Sequence, residues 1–148
     1  MQLNDDKVTI VMVEDDLGHA RLIEKNLRRS GIMNELLHFD NGRSAVDYFL
    51  SGKLEENAHE KTLVLLDLNL PEVDGFEVLE ILKGDDRTKK IPIIILTTTS
   101  NPKEIDRCYD LGCNIYITKP VDYLNFSEAL SKLGMMLAVV KIPSITEA

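Results

Sequence analysis

The sequence predicts an α/β fold, a doubly wound parallel sheet of five strands with five helices on its two faces. Short continuous apolar runs are the first observation behind this. They recur at Val8–Val13, Leu63–Leu66 and Ile93–Leu96, and such a run without polar alternation is the pattern of a strand covered on both faces. The second observation is that segments with helical spacing separate the runs, because a crossover between parallel strands needs a helix to cover the sheet. The third is size. A chain of 148 residues, 44% hydrophobic and 28% charged, reads as one domain around one core.

Val8–Val13 (VTIVMV) is the first strand. Leu17, Ala20, Ile23 and Leu27 then form one apolar stripe, with Arg21, Glu24, Lys25 and Arg28 on the wet side, and Gly31 stops this first helix. Asn34–Phe39 (NELLHF) is more mixed and is placed as a strand near an edge. Ala45, Tyr48 and Phe49 mark the second helix, which ends near Gly52. Ser51 to Lys61 (SGKLEENAHEK) is polar and without periodicity, and it reads as a surface loop. Leu63–Leu66 is the third strand, and Val78, Leu79 and Leu82 mark a third helix closed by Gly84. After the strand Ile93–Leu96, a fourth helix opens at NPKE: Asn101 caps, Pro102 suits the first helical position and Glu104 can reach back to the cap. Asn114–Thr118 (NIYIT) is the last strand, near the other edge, and a fifth helix is expected from about Tyr123 to Val140.

Composition excludes several classes of function. Acidic residues outnumber basic ones 25 to 17, and the net charge of -8 repels phosphate backbones and anionic lipid surfaces, so no direct nucleic-acid partner is expected. No apolar run is long enough to span a bilayer, and the polar start MQLNDDK lacks a secretion signal, so a cytoplasmic protein is expected. Cys108 and Cys113 lack a second pair to complete a zinc site and read as reduced, structural thiols.

In open parallel sheets, ligands bind beyond the carboxyl ends of the strands. Asp67 stands at such an end, where four apolar residues run straight into a carboxylate. Glu14 and Asp15 follow the first strand, Thr97 the fourth and Lys119 the fifth. These positions are distant in sequence, yet the fold brings them to one edge.

The blocks VMVEDD, LVLLDLNLPEVDGFEVL, IPIIILTTTS and YITKP resemble the receiver domain of two-component response regulators, in order and from Val8 to about Leu133. The resemblance implies a flavodoxin-like sheet in the order 2-1-3-4-5, within a single domain 1–148 whose core spans about 8–133 and whose C-terminal extension is 134–148. It implies a phosphoacceptor that assists its own phosphorylation and dephosphorylation rather than an enzyme. Three carboxylates meeting at one edge repel each other and either take up protons or collect a cation, and a hard divalent ion such as Mg2+ resolves the conflict. By family position Asp15 and Asp67 are direct metal ligands, the backbone carbonyl of Asn69 is a third, and Glu14 is an outer partner through water. Asp67 then accepts the phosphoryl group from a sensor histidine kinase. Lys119 meets one phosphoryl oxygen, and the Thr97 hydroxyl or its neighbouring N–H meets another. Tyr116 is the aromatic that turns inward as the threonine moves, switching the face of the fourth helix, fifth strand and fifth helix. Asn69 and Thr99 occupy the places that tune water access.

Neighbouring residues have plainer roles. Asp16 stands one place beyond the acidic pair and reads as a turn or helix cap. His19 and His38 have no second ligand near in sequence and read as solvated or helix-facing, and His59 as exposed in the polar loop. Thr97 is preferred to Thr98 because it follows the apolar run directly.

Phe126, Leu130, Leu133, Leu137 and Val140 form one stripe, but Gly134–Val140 (GMMLAVV) is apolar on every side. Uncovered apolar surface marks an interface, so a homodimer through the fourth helix, fifth strand, fifth helix and C-terminal segment is expected. The rival is an arm, KIPSITEA, folded back on its own domain. Only eight residues follow Val140, so no output domain is expected. The phrase VEDDLGHARLIEKNLRRSGI, the long loop before the third strand and the C-terminal extension resemble receivers paired with bacterial phytochrome kinases. Two alternatives remain open: a haloacid-dehalogenase-like phosphohydrolase, which wants an acid where Asn69 stands, and a phosphate-independent binding module.

Overall fold

The computed structural model describes residues 8–29, 31–51 and 61–119, together with Leu124 and Glu128. Its strands are β1 (Val8–Val13), β2 (Leu36–Phe39), β3 (Lys61–Leu66), β4 (Ile93–Thr97) and β5 (Ile115–Thr118). They form one parallel sheet in the order β2-β1-β3-β4-β5, as the resemblance implies. The period of two along each strand divides the core into two layers. Val11, Val13, Val64, Leu66, Ile93 and Ile95 face one side and Ile10, Met12, Leu63, Leu65, Ile94 and Leu96 the other. Both sets are buried, which explains why the central strands carry no polar alternation.

Helices α1 (Leu17–Arg29), α2 (Gly42–Phe49), α3 (Gly75–Gly84) and α4 (Pro102–Leu111) cover these layers. Ala20, Ile23 and Leu27 of α1 pack on one face, while Ala45, Val46 and Phe49 of α2, Val78, Leu79 and Leu82 of α3 and Cys108 of α4 pack on the other. The sequence predicts five helices, and the described residues form four, which corrects the count. A stripe of apolar positions carries the periodicity of a helix but not the surface it packs on. The span predicted for the fifth, Tyr123 to Val140, lies outside the described residues except for Leu124 and Glu128. The segment Gly134–Val140, expected from the sequence to form a dimer, lies outside them too, as do Gly52 and His59.

Side chains complete the ends of these elements. Arg28 Nη1 donates to Ile32 O at 3.0 Å and to Asn34 O at 2.8 Å, tying off the chain after α1, where Gly31 takes a φ of 88°. Asn34 and Asn114, predicted as strand residues, instead precede their strands and extend the ladder with side-chain amides, to Val8 O at 2.8 Å and from Ile93 N at 2.9 Å. Lys61, predicted as loop, pairs with Val8 and begins β3. Leu17 opens α1 but is 58% exposed, so it is not part of the packed stripe. Asn101 caps α4 by accepting from Lys103 N at 2.9 Å. Asp74 and Glu77 close a reciprocal capping box on α3. Cys108 and Cys113 are buried free thiols, and burial pushes their pKa values up to about 11 and about 12, which keeps them protonated and unreactive.

Two glycines seat the segment between β3 and α3. A Cβ on Gly75 would lie 2.2 Å from Asp67 O and 2.4 Å from Leu68 Cα, and one on Gly42 would lie 1.8 Å from Val73 O. No side chain fits at either place without moving backbone. Gly75→Ala and Gly42→Ala are therefore expected to lower the unfolding free energy by about 1–3 kcal/mol through forced displacement. Gly84→Ala, with nothing within 4 Å of the new atom, is expected to be neutral or to gain up to about 1 kcal/mol from helix propensity. Urea denaturation of the three variants checks the contrast.

Candidate functional site

Parallel register brings the charged residues together. Val13 pairs with Leu66, so the next residues, Glu14 and Asp67, leave the sheet side by side, and Asp67 N donates to Val13 O at 3.0 Å. On the other side of β4, Thr97 pairs with Thr118, and Lys119 N donates to Thr97 O at 2.7 Å. The strand ends thus deliver carboxylates, a threonine and a lysine to one edge of the sheet.

The side chains then converge. Carboxylate oxygens of Glu14, Asp15 and Asp67 all lie within 4.8 Å of one another. Lys119 Nζ sits 2.5 Å from Glu14 Oε1 and 3.4 Å from Asp67 Oδ2. Glu14, Asp67 and Lys119 are buried and Asp15 is exposed, so the cluster is closed on the sheet side and open toward solvent. Asp67 Oδ1 accepts from Asn69 N at 3.3 Å. Asn69 Nδ2 reaches Thr97 Oγ1 at 3.4 Å and Thr98 Oγ1 at 3.5 Å. Thr97 is buried at the end of β4 and Thr98 is exposed, the arrangement expected from the apolar run.

Three carboxylates against one ammonium leave an excess of negative charge at this edge. Burial raises the pKa of Glu14, the Lys119 hydrogen bond opposes that rise, and the Asp67 charge adds to it. Charge and donor type both fit a hard divalent cation: the donors are oxygens, the gap is a few ångströms, and one side is open to solvent. The cluster matches the Mg2+ site of the receiver family.

Asp16 caps α1 as expected, its Oδ1 accepting from His19 N at 3.0 Å. Both nearby histidines prove to touch the site, which their isolation in sequence did not signal. His38 Nε2 lies 2.7 Å from the Glu14 carbonyl oxygen, an acceptor only, so this nitrogen carries the donated proton and steadies the turn after β1. His19 Nδ1 lies 3.0 Å from Lys119 Nζ and 3.9 Å from Glu14 Oε2. The available signal was position: His19 is in the first turn of the helix that follows the acidic pair. Tyr116 OH donates to Thr99 O at 2.8 Å, tying β5 to the loop after β4, and burial pushes its pKa up to about 12.

Fold and site together define a phosphoacceptor domain of the two-component type, with an acidic cluster placed to hold metal beside a strand-end aspartate. The family model of the response regulator receiver domain matches residues 10–131, and the chain belongs to that family. The chain is 50% identical to a receiver domain from Rhodospirillum rubrum, with a TM-score of 0.74 over 90% of this chain and 95% of that one. It is 33% identical to the phosphorylated cyanobacterial phytochrome response regulator RcpA, with a TM-score of 0.73 over 91% and 96%. It is 39% identical over 110 residues to the response regulator Rcp1 of Synechocystis, covering 74% of this chain and 75% of that one. Family membership excludes the dehalogenase-like alternative, and members are phosphoacceptors rather than turnover enzymes. No helix among the described residues is long and apolar enough to cross a membrane.

The raised pKa of Glu14 has a defined sign in stability. The folded state holds its proton more tightly than the unfolded chain does, so Glu14 lowers metal-free stability above its folded pKa. That deficit is recovered as pH falls through the folded pKa toward the unfolded value. Glu14→Gln, which mimics the protonated form, is expected to be more stable than wild type at pH 7 without metal, with the difference shrinking toward pH 4.5. Urea midpoints measured across that range in a chelator check it.

Proposed function

We propose that the protein accepts a phosphoryl group on Asp67 from a phosphorylated sensor histidine kinase and thereby switches the surface around α4 and β5. The observation that carries this is the position of Asp67: a buried strand-end carboxylate with Lys119 Nζ 3.4 Å from one oxygen and two further carboxylates beside it. Asp15, Asp67 and the backbone carbonyl of Asn69 would hold Mg2+, with Glu14 behind them through water. When bound, that ion supplies charge neutralisation for the transferring group. One oxygen of Asp67 attacks phosphorus. The phosphorus–nitrogen bond of the donor phosphohistidine breaks, and its electron pair stays on the imidazole nitrogen. Lys119 gives a point positive charge to one phosphoryl oxygen, and Thr97 Oγ1 or a neighbouring N–H bonds another. Drawing Thr97 toward that oxygen loosens its contact with Asn69, and Tyr116, already anchored on Thr99 O in the adjacent loop, relays the change to α4. The likeness to RcpA, a phytochrome response regulator, supports a phytochrome-type kinase as the donor.

Incubation with acetyl phosphate tests the reaction. A hydroxylamine-labile adduct is expected on Asp67 with Mg2+ and not in a chelator, and it is absent from Asp67→Asn. Labelling of Asp67→Asn at the wild-type level overturns the assignment. Lys119→Ala is expected to keep Mg2+ binding while losing the phosphorylation-dependent change, read by comparing NMR spectra with and without beryllium fluoride.

The assembly expected of this regulator is a two-fold dimer through the apolar C-terminal segment. Support comes from the sequence of Gly134–Val140 and from Leu124, which is 75% exposed. A two-fold interface presents each substitution twice. Met136→Asp or Val139→Asp is expected to convert dimer to monomer in sedimentation, with Asp67 phosphorylation intact; a wild type monomeric under every condition favours the folded-back arm.

A further inference from the structure

Lys119 carries three N–H donors, and the structure brings three acceptors to them: Glu14 Oε1 at 2.5 Å, His19 Nδ1 at 3.0 Å and Asp67 Oδ2 at 3.4 Å. An ammonium only donates. His19 Nδ1 therefore presents its lone pair to Lys119, and the ring proton sits on Nε2. Two of the acceptors are the carboxylates of the site. The third is a neutral ring brought in by α1, whose first turn is steadied by the Asp16 cap on the His19 N–H. The ring also stands 3.9 Å from Glu14 Oε2, so it meets the ammonium from the Glu14 side of the cluster.

We propose that His19 is a positioning residue for Lys119: its Nδ1 holds the ammonium against Glu14 in the metal-free protein and opposes its transfer to the Asp67 side. The inference rests on the assignment of Asp67 and its Mg2+ site above. Its physical content is competition. An ammonium resting on Glu14 occupies the charge deficit that a divalent cation fills, and a hydrogen bond that would be lost as the ammonium leaves Glu14 favours the arrangement in which it is made by its own free energy. Glu14 is thus shared between two cations, and His19 biases the sharing toward the lysine. The same bond keeps Lys119 extended toward the site before any phosphoryl oxygen arrives.

The test is the Mg2+ dependence of the melting temperature of the full chain, which yields an apparent affinity. His19→Leu fills the space without an acceptor; His19→Gln keeps an acceptor oxygen. His19→Leu is expected to bind Mg2+ about three- to tenfold more tightly than wild type, about the net range of one intramolecular hydrogen bond, and His19→Gln to stay within about twofold of wild type. His19→Ala carries the same expectation as leucine and only removes atoms from a side chain that is 44% exposed, so the test survives if leucine disturbs α1. Unchanged or weaker binding in the leucine and alanine variants overturns the proposal, and so does equal tightening in the glutamine variant, which would assign the effect to the ring's bulk. A wild type whose melting temperature ignores Mg2+ overturns the metal site itself, and the role of His19 with it. A wild type that responds while the variants match it overturns the role of His19 alone.

Discussion

Glu14 and Asp67 emerge buried and adjacent from neighbouring strands, an arrangement that costs free energy in the absence of a positive partner. Lys119, 105 residues from Glu14 and at the end of a different strand, is that partner. Its position depends on the order and register of β1, β3, β4 and β5 together. A slip of one residue in any of these pairings turns its side chains to the opposite face and separates the ammonium from the carboxylates. The two-layered core that secures the register thus also secures the charge balance of the edge.

The compensation is incomplete. One ammonium faces three carboxylates, and the raised pKa of Glu14 reflects burial and Asp67 more than it reflects Lys119. The site is therefore poised for added positive charge, which protons, Mg2+ or a redistributed lysine can each supply. This is a use of local instability in the service of binding: the residues that would be worst placed for stability alone are those that define the chemistry. Close backbone packing keeps the edge from relaxing. Gly75 lets the start of α3 lie against Asp67 O, and Gly42 lets α2 lie against Val73 O, so both ends of the β3–α3 segment are held by contacts that admit no Cβ.

Contacts leading away from the cluster are weaker and more exposed. Asn69 spans Thr97 and Thr98 at 3.4 and 3.5 Å, long for hydrogen bonds, while Tyr116 holds Thr99 O at 2.8 Å. A firm anchor on the far side of a loosely held threonine pair is the arrangement on which the proposed switch relies. His38 and His19 act on the opposite side, one on the Glu14 carbonyl and one on Lys119, so Glu14 is constrained through both its backbone and its ion-pair partner.

Much of this was legible along the chain. Uninterrupted apolar runs at Val8–Val13, Leu63–Leu66 and Ile93–Leu96 mark strands buried on both faces, because a face left in water would need polar alternation. Polar residues placed directly after such runs, Asp67 and Thr97 among them, can only lie at the carboxyl edge, and Asp16 beside the acidic pair behaves as the cap its chemistry implies. Leu17 illustrates the limit: it has the spacing of a core residue but opens α1 ahead of the buried Ala20, Ile23 and Leu27, and it stays exposed. The strands start later than Asn34 and Asn114, because at these two positions a side-chain amide stands in for the backbone ladder. The roles of His19, His38, Gly42 and Gly75 depend on atoms brought close by folding, from residues as far as 100 positions away. Periodicity reports which face a residue occupies, since burial repeats with the geometry of the element. It carries no information about which distant side chain stands opposite, because that contact is set by how the helices close over the sheet.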